Sequence, residues 1–432
     1  MMRLPRLLGS NIAAAVLVVA ATAIVYRQAA IAFFIEDDLH WLAEARRFQW
    51  ANLLDLAQYD HFYRPLIEIY FYIGHRIAGC APLPFHLASI AIHLLNTSVL
   101  FAFARELTRD ARFAWMTVVL FVLQPGYGEA VVWVAAITDL LPALWYLLTL
   151  LLHLRFLRYG GRRTQIATIA AFAACLLTHE SSATLLPMMI ALEALQSLEG
   201  DRLPWLRWQG GVSYYIPFAI LLALFLVVAY VVNSRSYLIR EGYYTVGPHA
   251  VVNAFNYVVA LYVGKRTVLD YILIAAALGA LLVRGTARLR FLTIWVALTL
   301  LPVLFFTWGI ASRYLYVPAA GFAMLLADLL TRAEAALGRR MSVRAARAIT
   351  ATVAVALAVR FAAFAEERAA DFRTVTAPYA RFAEAIRASY PSAPSDRIVV
   401  VPSDIGRAIP DLYRDAAAET ALCAADVRVS LQ

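Results

Sequence analysis

The sequence predicts an all-α polytopic membrane protein: about eleven transmembrane helices, interfacial helices in the first outer loop, and a small C-terminal α/β cap outside the membrane. Three observations predict it. The chain is 62% hydrophobic and 16% charged, with a mean hydropathy of +0.68, whereas soluble domains carry about 25% charged residues. Apolar runs recur, several of them near the ~20 residues that cross a hydrocarbon core. The arginines fall in alternate connections between those runs.

Spans are expected near 11–34, 85–104, 113–132, 139–157, 165–178, 183–197, 212–232, 267–283, 291–308, 315–331 and 348–364. The first could be taken for a signal peptide with Arg3 and Arg6 at its basic end, but its apolar run continues to Phe34 and meets the acids directly. The basic groups are Arg3 and Arg6; Arg105, Arg109 and Arg112; Arg155, Arg158, Arg162 and Arg163; Arg202 and Arg207; Arg284, Arg288 and Arg290; and Arg332, Arg339, Arg340, Arg344 and Arg347. The positive-inside rule puts them all in the cytoplasm. Eleven crossings then leave the amino terminus inside and the carboxyl terminus outside; the arginine-rich, lysine-poor composition points to a GC-rich bacterial genome, and with the spans to a bacterial inner membrane. A net charge of +9 is accounted for by these loops, so it is no sign of nucleic acid.

The first outer loop, 35–84, is too long for a simple link. Residues 40–58 read as an amphipathic helix (Trp41, Leu42, Ala45, Phe48, Leu53, Leu56), and 63–78 as a second helix opened by Tyr63-Arg64-Pro65, proline being tolerated in a first turn. Both are expected at the interface. From 365 onward the material changes. Phe372, Val375, Tyr379, Phe382 and Ile386 fall at helical spacing, and a strand-like run Ile398–Val401 follows Pro391 and Pro394. Sixty-eight residues suffice for a cap over the outer loops rather than an independent core. This divides the chain into a membrane part, 1–364, and an outer C-terminal region, 365–432. Cys80 and Cys423 both fall on the outer side, where an oxidising compartment permits pairing. No Walker or Rossmann glycine pattern and no metal-type Cys/His spacing is present.

Where the first span runs out, Glu36, Asp37 and Asp38 stand together. Mutual repulsion makes three adjacent ionised acids costly, whereas a site that accepts a proton, binds sugar hydroxyls or holds a cation has a use for them. The plain alternative is a set of first-turn acids on the following helix; the two roles are compatible. Arg64, Lys265 and Arg313 are the cations nearest the outer face. Lys265, the only lysine, also reads as a snorkelling anchor, and Arg313 between aromatic residues as part of an interfacial belt. Glu129, Asp139 and His179-Glu180 share the outer ends of neighbouring spans, where ionisable groups default to a functional reading; the competing reading is that they pair with arginines. His93 and Asn96 read as cross-helix hydrogen-bonding groups.

In order, these pieces resemble the integral-membrane glycosyltransferases of the GT-C fold, above all the bacterial relatives of the TMTC proteins and more distantly the PMT and ArnT families. The resemblance covers about 10–330. It rests on Asp37-Asp38 with Leu39-His40-Trp41; Tyr63-Arg64-Pro65-Leu66; Phe85-His86-Leu87; His93-Leu94-Leu95-Asn96; Gln124-Pro125 through Glu129-Ala130-Val131-Val132-Trp133 and Asp139-Leu140-Leu141; His179-Glu180-Ser181; and Arg313-Tyr314-Leu315-Tyr316-Val317-Pro318 with Gly321-Phe322. Gln124, Ile137 and His179 stand where those families write His, Arg and Lys. No tetratricopeptide repeats follow.

The resemblance implies sugar transfer from a polyprenyl-phosphate donor to a glycan, lipid or protein acceptor at the outer face. In it Asp37 is the general base, and Asp38 orients it, binds sugar hydroxyls or holds a divalent cation. Arg64, Glu129, Asp139, His179, Glu180, Lys265, Arg313, Tyr314 and Tyr316 contact donor or substrate. From the residues alone, a transporter or flippase of a lipid-linked or anionic substrate, or an envelope polysaccharide polymerase or ligase, stays open.

Overall fold

A computed structural model describes residues 4–59, 62–199 and 211–432; the arginines at 3, 202 and 207, and Asp60 and His61, lie outside them. The first apolar run forms α1 (Leu4–Val25). The long loop after it forms α2 (Asp37–Arg47) and α3 (Pro65–Ala78), the latter with proline in its first turn. The amphipathic helix expected over 40–58 stops at Arg47. Phe48 is extended (ψ 133°), and the rest forms two short 3-10 turns, Trp50–Leu54 and Leu56–Gln58, the second capped by the Asp55 side chain. A short polar side chain at a turn competes with helical backbone bonding.

Then come α4 (Pro82–Thr108), α5 (Ala111–Val122), α6 (Gly128–Val132), α7 (Ile137–Tyr159), α8 (Arg162–Leu176) and α9 (Leu185–Glu199). α10 (Gly211–Asn233), α11 (Tyr237–Arg240), α12 (His249–Tyr262), α13 (Val268–Arg284), α14 (Ala287–Leu300) and α15 (Tyr316–Leu337) follow. α16 (Val343–Ser389) runs unbroken for 47 residues, about 70 Å at 1.5 Å per residue. It carries both the last expected span and the Phe372–Ile386 stripe, whose Tyr379, Phe382 and Ile386 are buried. The cap is β1 (Ile398–Val401), α17 (Ser403–Gly406), α18 (Asp411–Leu422) and β2 (Arg428–Leu431), its two strands parallel with Ile398 opposite Arg428.

Each expected span holds a helix, but the first is α-helical only to Val25 and the one over 291–308 only to Leu300. Among the described residues five helical stretches are by themselves long and apolar enough to cross a membrane: Pro82–Thr108, Val134–Tyr159, Gly211–Asn233, Ser312–Leu337 and Val343–Ser389. Ala111–Val122 with Pro125–Val132 makes a sixth, bent by 43°. The chain is a multi-pass membrane protein. Between the expected spans, α11 and α12 are absent from the expectation.

Ion pairs gather the basic connections at one end of the bundle. Arg112 and Arg347 meet Glu334, Arg158 meets Glu106, and Arg288 and Arg332 meet Asp328. α7 and α15 each run from this end to the other, so Asp139 and Arg313 stand about 30 Å from it. At that far end the cap is bound to the long loop between α1 and α4. Cys80 and Cys423 form a disulfide across 343 residues, with Cα atoms 5.7 Å apart. Beside it buried Glu419 accepts from Arg46 at 2.9 Å and from Arg47.

Candidate active site

α2 starts from a sharp turn. Glu36 takes φ 43°, ψ −117°, a conformation rare for a residue with a side chain, and it aims the three acids in different directions. Asp38 is fully buried. Its Oδ2 accepts the Ile35 N–H at 2.9 Å and its Oδ1 the Ala135 N–H, joining α2 to the loop before α7. Burial pushes the Asp38 carboxyl well above the usual range, against the downward pull of those two donors. Glu36 is half buried; desolvation and then Asp37 raise its carboxyl, while Arg313 lowers it. Asp37 is exposed and accepts from the Tyr413 hydroxyl at 3.3 Å.

The cation and sugar-hydroxyl roles expected of Asp38 do not fit this geometry, because both its oxygens are occupied by backbone donors. Among the described residues the one group of three metal-type ligands is His75 with Cys80 and Cys423, and those thiols are in the disulfide. Asp38 instead fixes the turn from which Asp37 projects. Truncation to alanine orphans both N–H groups at about 1–3 kcal/mol each. Asp38→Ala should thus lower the melting temperature of the detergent-solubilised protein, whereas Asp37→Asn should leave it nearly unchanged; equal melting temperatures for Asp38→Ala and wild type would remove this assignment.

Asp37 opens on a cavity of about 830 Å³ whose walls include His40, Trp41, Glu44, Arg64, Glu68, Trp133, His179, Glu180, Trp308, Arg313 and Tyr314. One face of α2 supplies Asp37, His40, Glu44 and Arg47, at helical spacing. Arg64, buried, grips Glu180 with Nε at 3.0 Å and Nη2 at 2.7 Å and lies over the Phe62 ring. Arg313 lies 5.0 Å from the Trp133 ring centre and 4.7 Å from that of Tyr314. Its Nη1 donates to Glu129, whose other oxygen takes Ser312 N, Ser312 Oγ and Arg313 N at 2.9–3.3 Å. His179 Nδ1 accepts from Ser181 N at 3.1 Å. Burial and then the Arg64 and Arg313 guanidiniums hold its imidazole well below the ordinary range, so it stays neutral at the position where the resemblance would put a lysine.

Of the expected residues, Asp37, Arg64, His179, Glu180, Arg313 and Tyr314 thus meet in one cavity. Glu129 does not line it; its carboxylate is spent holding Arg313. Asp139 lies in a narrow cleft behind, with Tyr146, Ser181, Arg313 and Tyr314. Tyr316 is fully buried and bonds His93 Nδ1 at 2.7 Å and Asn96 Nδ2 at 3.2 Å, so it belongs to the helix packing. Lys265 is exposed and stands outside the cavity lining. Sequence reasoning missed Tyr413, Glu44, Glu68, Trp308 and the wall between α10 and α14. Glu44 alone carried a signal, seven residues after Asp37 on the same helical face.

The fold is a GT-C-type membrane architecture. Over 96% of its length the chain superimposes on 85% of ArnT from Cupriavidus metallidurans, solved with undecaprenyl phosphate, at a TM-score of 0.59 and 14% identity. Over 96% it also superimposes on 64% of the archaeal oligosaccharyltransferase AglB from Archaeoglobus fulgidus, solved with an inhibitory peptide and a dolichol-phosphate, at 0.53 and 13%. In sequence it is similar to Protein O-mannosyl-transferase TMTC2 of Mus musculus, 29% identical over 106 residues, which are 24% of this chain and 13% of that protein. To Tmtc2 of Drosophila melanogaster it is 30% identical over 159 residues, 35% of this chain and 17% of that one. The matches thus span less than a fifth of those curated relatives. No protein-family model matches the chain.

Proposed function

We propose that the chain is an inverting glycosyltransferase that moves a sugar from a polyprenyl-phosphate donor onto a glycan, lipid or protein acceptor at the outer membrane face. One observation carries the reading: an unburied carboxylate, Asp37, shares a membrane-end cavity with two guanidiniums, Arg64 and Arg313. In the reaction the acceptor hydroxyl attacks the anomeric carbon, its proton passes to Asp37, and the bond from that carbon to the phosphate oxygen breaks. The electron pair leaves with polyprenyl phosphate, whose charge the guanidiniums meet. ArnT and AglB, solved with undecaprenyl phosphate and a dolichol-phosphate, favour this donor class. The arginine-rich end then faces the cytoplasm of a bacterial inner membrane, with the amino terminus inside and the carboxyl terminus outside. The cap disulfide suits that oxidising side.

The test is donor turnover. Membranes containing the chain, given undecaprenyl-phosphate mannose labelled in the sugar, should release undecaprenyl phosphate and pass label to the membrane or peptide fraction. Mannose is chosen from the names of the curated relatives. Movement of intact donor across vesicles without cleavage would replace this reading with a flippase.

A further inference from the structure

Asp37 sits in the exposed first turn of α2, where nothing on its own helix fixes its rotamer. The group that meets it comes from the far end of the chain. Tyr413, near the start of α18, donates to Asp37 Oδ1 at 3.3 Å, and its ring lies 5.0 Å from that of His40, one turn further along α2. His40 Nε2 lies 3.5 Å from the Leu412 carbonyl. Burial and then Asp37 hold the Tyr413 hydroxyl protonated, raised above its ordinary value, so it remains a donor. The other end of α18, 12 residues and about 18 Å away, is fixed three times over: by the Cys80–Cys423 disulfide, by Glu419 with Arg46 and Arg47, and by Arg387 Nε on the Ala421 carbonyl at 2.9 Å.

We propose that Tyr413 is a positioning residue for the Asp37 carboxylate, that the disulfide at the other end of α18 holds it in place, and that the cap is therefore part of the active site. The proposal rests on the reading of Asp37 as base. A bond to Oδ1 fixes the carboxylate plane and leaves Oδ2 to receive the acceptor's proton.

The test uses the full-length, detergent-solubilised chain with undecaprenyl-phosphate mannose, following release of undecaprenyl phosphate. Tyr413→Phe keeps the ring against His40 and removes only the donor. It should lower kcat roughly 10-fold to 100-fold, the scale of a misplaced reacting group, at unchanged donor KM. Cys80→Ser/Cys423→Ser should reproduce that split, and the triple variant should be no slower than the worse of the two, because both act through one contact. Wild-type kcat in Tyr413→Phe overturns the proposal. Should Tyr413→Phe prove less stable, the cysteine pair decides alone, and wild-type kcat there overturns it as well. Asp37→Asn separates the two levels: if that variant turns donor over, the base reading falls, and if it is inactive while Tyr413→Phe is wild type, only the positioning role falls.

Discussion

Asp37→Asn should lose sugar transfer by about 10²–10⁴-fold in kcat, the usual worth of a positioned base, while expression and melting temperature hold. The amide matches the carboxylate in size and still accepts from Tyr413, but it cannot take the acceptor's proton. Asp37 is exposed, so little packing depends on it; the loss of one first-turn charge on α2 costs about 0.3–1 kcal/mol at most. Donor KM should change little, because in the proposed reaction Asp37 meets the acceptor and not the phosphate. Asp38 cannot stand in, since its oxygens are held by Ile35 and Ala135 inside the protein. Full turnover by Asp37→Asn would remove the base assignment outright. Activity lost together with melting temperature would instead mean that Asp37 belongs to the fold, as Asp38 does.

The spans were legible because lipid demands long apolar runs, and the acid-rich outer turn was legible because ionisable groups are scarce elsewhere at that depth. Which of two adjacent aspartates faces the cavity came only from the resemblance, not from the residues themselves. That depends on the positive φ of Glu36 and on a loop 97 residues away that supplies the Ala135 N–H. The strand Ile398–Val401 was readable from its β-branched run, but its partner β2 and the contact of Tyr413 with Asp37, 376 residues apart, arise only when the cap folds back. α12 was missed because 14 residues are too few to span. In the fold Asn253 Nδ2 bonds the Leu304 and Phe306 carbonyls, each at 2.9 Å, and so builds the aromatic wall of the cavity. Glu129 and Tyr316 sit in motif positions yet act inside the protein, as clamp and as packing, because a motif match carries no information about which way a side chain turns.

The second large effect is expected at Arg313. In the proposed reaction charge accumulates on the departing phosphate as the sugar–oxygen bond stretches, so a group meeting it there matters more in the transition state than in the bound donor. Arg313 is preorganised for it: Trp133 and Tyr314 lie beside its plane, and Glu129 holds Nη1 through one oxygen while the other is occupied by the Ser312–Arg313 backbone. Removing one such donor typically costs 10²–10³-fold in kcat, and Arg313→Ala should fall there with a smaller rise in donor KM. Arg313→Lys should restore little, because a point-charge ammonium cannot keep the planar, stacked fork. Glu129→Gln, which loosens the clamp without removing the cation, should cost less than Arg313→Ala, and the double variant should cost no more than Arg313→Ala alone. If Arg313→Ala raised KM with kcat untouched, Arg313 would be a docking cation for bound donor and the leaving phosphate would rest on Arg64. If the two substitutions simply added, Glu129 would act independently of the guanidinium it holds.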